Sequence, residues 1–375
     1  MADTIDIENL PEEVQSVVEM ASQSLQPITP AEGVEQFLEW KSTDIVSQTV
    51  GEYERKLGYL KQFCEMKGIE NLNEFDGRTL NEYRRWRRLE SADRSEPLAP
   101  KTMRDELYLL NNFVGFLEDI EGVADGLSKK IDIPDLDDGE GVRDINLDAD
   151  RVEAILEYLS KFHYASREHV TWLFFAQLGR RPGGLYALDK VDIYLDCEDP
   201  YIEFNHRPPE TTLKNKSKSE DEIAIFEPLV TVLNDYIEKN RIEVTTDNGR
   251  KPLLTSQEGR LSKTSMRRYI YAYSRPCAIG KDCPHDRDPD SCEAAQPGDS
   301  GSKCPSSRPP YALRHGYITH HVNEGLPMEL LSDRCDTSKK MIKKHYDERD
   351  DSDKRELRAE ILEELHEDSS GGGYQ

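Results

Sequence analysis

Phe174-Phe175-Ala176-Gln177-Leu178-Gly179-Arg180-Arg181-Pro182-Gly183-Gly184-Leu185-Tyr186-Ala187-Leu188-Asp189 sets an arginine pair at the end of an apolar helix, ahead of a Leu-x-x-Leu-Asp stretch that leads into a strand. By itself such a pair is usually a solvated helix end, since charged residues are mostly exposed. Two later stretches change its meaning: Pro310-Tyr311-Ala312-Leu313-Arg314-His315-Gly316-Tyr317-Ile318-Thr319-His320, and Lys344-His345-Tyr346-Asp347. The order and separation of the three carry more information than any one of them.

The 375 residues exceed one ordinary core and fit two domains plus tails. Residues 1–28 are acidic and polar, with only a short amphipathic stretch at Val14–Met20, and read as a flexible N-terminal arm. Helical spacing begins at Thr29 with Val34, Phe37 and Leu38, and returns over Thr49–Phe63 and Thr79–Leu89. Thr102 is placed to cap a helix carrying Met103, Leu107, Leu110, Val114 and Leu117. Residues 29–130 therefore form a small all-helical domain. The Pro-, Gly- and acid-rich segment 131–147 reads as a linker. Helices at Asp148–Leu159 and His169–Leu178 then precede β-prone runs at Val191–Leu195, Tyr201–Phe204 and Ile223–Phe226, so residues 148–350 form a mixed α and β domain with a small sheet. Residues 351–375 form a C-terminal helix, with Leu357, Ile361 and Leu365 at helical spacing, and a Ser-Gly tail.

With 36% hydrophobic residues and no apolar run of about 18 residues, the chain is expected to be globular and to have no membrane partner. Its N-terminus lacks the basic start and apolar stretch of a signal peptide, which places it in the cytoplasm with reduced cysteines. The net charge of −25 and pI near 4.8 argue, taken alone, against a nucleic-acid partner. Acid-rich surfaces also suit concentrated salt, where charges are screened within about 3 Å at ~1 M, and the acidity is read here as a halophile's. Basic clusters in such a chain are correspondingly informative. The first is Arg84, Arg85, Arg87 and Arg88 flanking Trp86, followed by Lys101 and Arg104. These six are candidate contacts to a DNA backbone; the alternative is a charged helix face with Trp86 in the core.

The arginine-pair stretch resembles the first arginine box of the tyrosine recombinase (phage integrase) family. Pro310–His320 is similar to the second box, usually His-x-Leu-Arg-His, and Lys344–Asp347 falls where the family's nucleophilic tyrosine stands. The likeness spans roughly residues 29–350. Ser332-Asp333-Arg334 with His345-Tyr346-Asp347 also resembles an arrangement found in halophilic archaeal members. The resemblance implies a mainly α fold with a small β-sheet: a helical, SAM-like core-binding domain and an α/β-mixed catalytic domain that clamp duplex DNA.

It further implies a site-specific recombinase or integrase, with topoisomerase IB-like chemistry, that cuts and rejoins DNA through a covalent 3′-phosphotyrosyl intermediate. Tyr346 would be the nucleophile, while Arg181 and Arg314 bind the non-bridging oxygens of the scissile phosphate, a task that suits a permanently charged bidentate donor. A hairpin lysine would protonate the leaving 5′-oxygen; counting back from the strand Ile223–Phe226 favours Lys216, with Lys214 next. No cofactor is implied for catalysis, and the working form would be a homo-oligomer on double-stranded DNA, dimer to tetramer, in which the terminal helix passes to a neighbouring subunit or packs on its own chain. Three positions depart from the family pattern. Tyr311 replaces a histidine, the later Gly-His position falls on Asp336-Thr337, and Gly184 stands where an acid is common. His315 or His345 is a candidate to supply the missing imidazole.

Cys277, Cys283, Cys292 and Cys304 lie in a Pro-, Asp- and Gly-rich insertion, residues 277–304, which calls for a staple because long loops inside domains are uncommon. Structural zinc, with His285 as a substitute ligand, is one reading; free or packed thiols are the other. Two functions compete with recombination: a catalytically impaired DNA-binding protein of the same fold, and a metal-stabilised protein-interaction module.

Overall fold

A computed structural model of the chain describes residues 25–45, 47–91, 96–136, 147–296, 298–347 and 349–369. Most of the expected N-terminal arm, including Val14–Met20, and residues 137–146 of the expected linker lie outside them. The chain divides into two compact units, Met1–Arg143 and Asp144–Gln375.

The first unit is built from α1 (Pro30–Ser42), α2 (Ser47–Lys67), α3 (Gly77–Leu89) and α4 (Pro100–Asp119). Thr29 and Glu32 form a reciprocal capping box that starts α1. Asp76 caps α3 by accepting from the Thr79 N–H at 2.7 Å. The cap of α4 is not at Thr102. The helix begins two residues earlier, with Pro100 in its first turn, where a missing N–H costs nothing. Phe37, Phe63, Leu72, Phe113 and Leu117 make the centre of the core, and the Phe37 ring meets Phe113 edge-on at 5.4 Å.

The second unit wraps around α6 (Arg167–Leu178), which is apolar on all sides and buries His169, Val170, Trp172, Phe174 and Phe175 against α5 (Ala149–Phe162), α8 (Leu229–Asp235), α9 (Lys263–Tyr273) and α10 (Pro310–Asn323). After α6 come the short α7 (Pro182–Ala187) and an antiparallel sheet of β1 (Ile193–Tyr194), β2 (Tyr201–Phe204) and β3 (Asp221–Ala224), ordered β1-β2-β3 with Ile202 opposite both Ile193 and Ile223. Two of the expected strands are shorter or shifted. Residues Lys190–Asp192 form a 3-10 turn, and β3 starts two residues before Ile223. A second small ladder, β4 (Thr255–Ser256) with β5 (Gly259–Arg260), was not foreseen. It presents Arg260, which with Arg250 grips the buried Asp189 carboxylate at 2.7 and 2.6 Å and so ties the end of the first arginine stretch to the rest of the unit. The chain closes with α11 (Met328–Cys335), α12 (Lys339–His345) and α13 (Asp351–Ser369).

Arginines tie down the insertion and its flanks. Arg275 donates to the Ala294 carbonyl at 2.5 Å, and Arg151 of α5 donates to the Ser274 and Ser306 carbonyls. His285 pairs with the Ser306 hydroxyl at 2.7 Å. Cys277, Cys283, Cys292 and Cys304 are free and half-buried. Among the described residues no three His, Cys, Asp or Glu side chains converge as metal ligands, so the residues as placed do not fit the zinc expected from them. No helix among the described residues is long and apolar enough to cross a membrane.

Candidate active site

Gly179 closes α6 in the left-handed conformation, φ +58°. A Cβ at this position would come within 2.4 Å of the Tyr317 ring, so the turn requires glycine on two counts. The turn delivers two arginines to different fates. Arg180 points inward, 3% exposed, donating to Asp221 of β3 at 3.0 Å and to the Asp333 carbonyl at 3.2 Å, with its guanidinium over the Phe204 ring at 4.4 Å. Arg181, at the N-terminus of α7, remains one-third exposed and donates through one nitrogen to the Asp336 carboxylate at 2.9 Å and the Asp336 carbonyl at 2.5 Å. Adjacent arginines thus divide the work: the first fastens the sheet to α11, and the second is presented to solvent.

Arg314 sits in the second turn of α10, 4% exposed, and donates to the carbonyls of Gly179 at 2.8 Å and Cys335 at 2.5 Å. Those two carbonyls are helix C-terminal groups with no intrahelical partner, so Arg314 caps α6 and α11 while holding a positive charge beside Arg181. Burial, then the like charge of Arg314, holds the Arg181 guanidinium below its ordinary value. Two like-charged arginines kept close, only one of them paired with a carboxylate, form an anion-binding locus.

One turn before Arg314 on the same helix face, Tyr311 extends its hydroxyl to Tyr346, donating to the Tyr346 oxygen at 3.2 Å. Tyr346 follows α12 and is 4% exposed, whereas Tyr311 is 44% exposed. Burial, then the hydrogen bond to Tyr346, pushes the Tyr311 hydroxyl well above its usual value, with Arg314 and Arg181 opposing the shift, so Tyr311 is held as a protonated donor. His315 lies beside the phenol, ring centres 5.1 Å apart, and its Nε2 meets the His345 carbonyl at 3.1 Å. That contact makes Nε2 the protonated nitrogen and gives the imidazole a fixed place next to Tyr346. His345 contributes its backbone carbonyl to this arrangement.

Lys214 and Lys216 are exposed in the connection between β2 and β3, with Lys216 in the left-handed region at φ +57°. Asn215, between them, donates to the second Asp336 oxygen at 2.9 Å, which brings the connection to the end of α11, where Asp336 holds Arg181. Tyr346, Arg181, Arg314, Tyr311 and His315 therefore lie in one locus, and the lysine-bearing connection is fastened to its edge. The sequence alone assigned Asp336, Arg180 and Asn215 no role in the site. The only signal for Asp336 was its register with a glycine position, and it does adopt φ +51°.

In the first unit, Arg85 and Arg88 are exposed on α3, as is Lys101 at the start of α4, while Arg104 is half-buried. Arg84 pairs with Asp132 at 2.6 Å. Arg87 does not belong with them. It is fully buried, bidentate to Glu106 at 2.8 and 3.0 Å, and stacked on the Tyr59 ring at 3.6 Å, so it offers nothing to a phosphate. The residue one position after Trp86 follows it into the core, because the buried arc of α3 is wide enough to include both.

No family model and no curated protein matches the sequence. Solved structures do match. The Tn1549 transposon integrase, in complex with a circular intermediate DNA, superposes with a TM-score of 0.62 at 14% identity, covering 89% of this chain and 99% of that one. A lambda integrase dimer bound to a COC′ core site gives 0.58 at 11% identity, covering 92% and 83%. Likeness of this extent at such low identity is likeness of backbone, mainly helical with small sheets, and the fold of this chain is that of the tyrosine recombinases, or phage integrases.

Proposed function

We propose that the chain is a site-specific DNA recombinase or integrase that cuts and rejoins strands through a 3′-phosphotyrosyl intermediate on Tyr346. The observation that carries the reading is the meeting of Arg181, Arg314, Tyr311 and Tyr346 from three separated stretches at one locus. In the proposed reaction Arg181 and Arg314 bind the non-bridging oxygens and stabilise the charge that gathers there as the phenol oxygen attacks phosphorus. Tyr311, already donating to the Tyr346 oxygen, stabilises that oxygen as its proton passes to the adjacent His315 imidazole or to water. Lys216, or Lys214, supplies a proton to the departing 5′-oxygen. With two guanidinium groups providing the positive charge, the scheme assigns no step to a catalytic cofactor. Arg84, Arg85, Arg88, Lys101 and Arg104 of the first unit serve as backbone contacts, and the active species is a homo-oligomer on double-stranded DNA.

A second reading, a DNA-binding protein of the same fold that no longer cuts, is favoured by one feature: Tyr346 is nearly buried in the free protein. A nicked suicide duplex carrying the protein's own target separates the two. Loss of the short fragment beyond the nick should trap a denaturation-resistant protein–DNA complex for the wild type and none for Arg181→Gln. Binding without any trapped complex would leave the second reading.

A further inference from the structure

We infer that Asp336 is a positioning residue that acts as the resident counter-ion of Arg181, occupying in the DNA-free protein the guanidinium that a phosphodiester must take over. The inference rests on the reading of Arg181 as a phosphate ligand. The Asp336 carboxylate is well buried, its side chain 14% exposed, and its two oxygens are divided: one accepts from Arg181 at 2.9 Å, the other from Asn215 at 2.9 Å. Its carbonyl also accepts from the same Arg181 nitrogen at 2.5 Å.

The position is conformationally expensive. Asp336 ends α11 in the left-handed region, φ +51°, which most side chains avoid and where glycine is favoured. In that conformation the carbonyl and the carboxylate converge on one guanidinium nitrogen, and a neutral glycine would supply the carbonyl alone. The carboxylate therefore puts negative charge on the arginine that is the more exposed of the pair, whereas Arg314 satisfies backbone carbonyls only. An incoming phosphate meets this carboxylate as a competitor for Arg181 and as a like charge nearby. When it displaces the competitor, the Asn215 contact keeps Asp336 bound to the connection that carries Lys214 and Lys216, so the hand-over of Arg181 is sensed by the lysine-bearing arm.

The test uses the full chain and inorganic phosphate as the probe, titrated by calorimetry at low ionic strength. Asp336→Asn keeps the shape, tolerates the left-handed backbone and removes the charge; its amide oxygen can still accept from Arg181, while its NH2 can donate to the Asn215 amide once that amide turns over. It should bind phosphate about tenfold more tightly than the wild type. Asp336→Gly, which suits the backbone conformation, should show the same gain and guards against an effect peculiar to asparagine. Arg181→Gln should abolish the tight site in both backgrounds. Equal phosphate affinity in the wild type and both Asp336 variants, with binding still dependent on Arg181, would overturn the inference alone. Phosphate binding indifferent to Arg181 in every background would overturn the reading beneath it as well.

Discussion

Tyr311 donates its hydroxyl hydrogen to the oxygen of Tyr346 across 3.2 Å, and the donor is the exposed member of the pair while the acceptor is buried. The direction matters because a phenol that is to attack phosphorus must first gain negative charge on oxygen, and a fixed donor lowers the cost of that charge. Tyr311 is thus a group that can donate but does not gain a proton at neutral pH. Tyr311→Phe should slow formation of the covalent DNA complex by about 10- to 100-fold, with DNA affinity changed less than about threefold. Single-turnover trapping beside a gel-shift titration measures both; an unchanged rate would remove Tyr311 from the chemistry.

The turn at Gly179 supports both arginines. Its carbonyl holds Arg314 at 2.8 Å, and a Cβ would strike the Tyr317 ring and approach the Cys335 sulfur. Gly179→Ala should destabilise the second unit by roughly 2 kcal/mol or more, combining left-handed strain with displaced packing. Chemical denaturation would show a lower midpoint; a wild-type midpoint would mean that the turn relaxes freely.

The ion pair of Arg87 with Glu106 is a core contact of the first unit. Arg87→Ala, by leaving Glu106 buried and alone, should cost about 3–5 kcal/mol, whereas Arg87→Met with Glu106→Leu should be close to neutral. Arg85→Ala and Arg88→Ala should leave the melting temperature within a degree or two and weaken DNA binding instead. Thermal melts paired with gel shifts decide this, and a stable Arg87→Ala protein with impaired DNA binding would reverse the assignment.

His169 is buried in α6, and burial depresses its imidazole to about 4, while Nδ1 accepts from the Ala165 N–H at 3.2 Å. The neutral ring belongs to the folded state. Because the folded value lies below the unfolded value of about 6.5, its stabilisation is present above pH 6.5 and is lost as the pH falls towards 4. The second unit should lose roughly 2 kcal/mol from this group between pH 7 and pH 5. Denaturant midpoints for the wild type and His169→Gln would show it, the variant lacking that part of the slope; parallel slopes would contradict it.

Much of this was legible beforehand, for identifiable reasons. Helical periodicity is a local signal, so α1 to α6 were visible in Phe37, Leu60, Leu107 or Phe174. The order of the three stretches around Arg181, Arg314 and Tyr346 is a property of the chain itself. What the sequence withheld depends on pairing across the fold. Arg87 looks like its neighbours until Glu106 and Tyr59 are placed beside it, and Asp336 is one acid among 74 until its left-handed backbone turns it towards Arg181. The cysteines were singled out because a long loop needs a staple, while the contacts of Arg275 to the Ala294 carbonyl and of Arg151 to the flanking Ser274 and Ser306 carbonyls depend on pairing across the fold.

The central claim is that Tyr346 itself becomes joined to DNA. The suicide-duplex complex should be digested with nuclease and protease and the peptides sequenced by mass spectrometry. A nucleotide phosphate on the peptide containing Tyr346, absent from Tyr346→Phe, is the predicted result. An adduct on Tyr311 or any other side chain, or an undiminished adduct in Tyr346→Phe, would contradict the account.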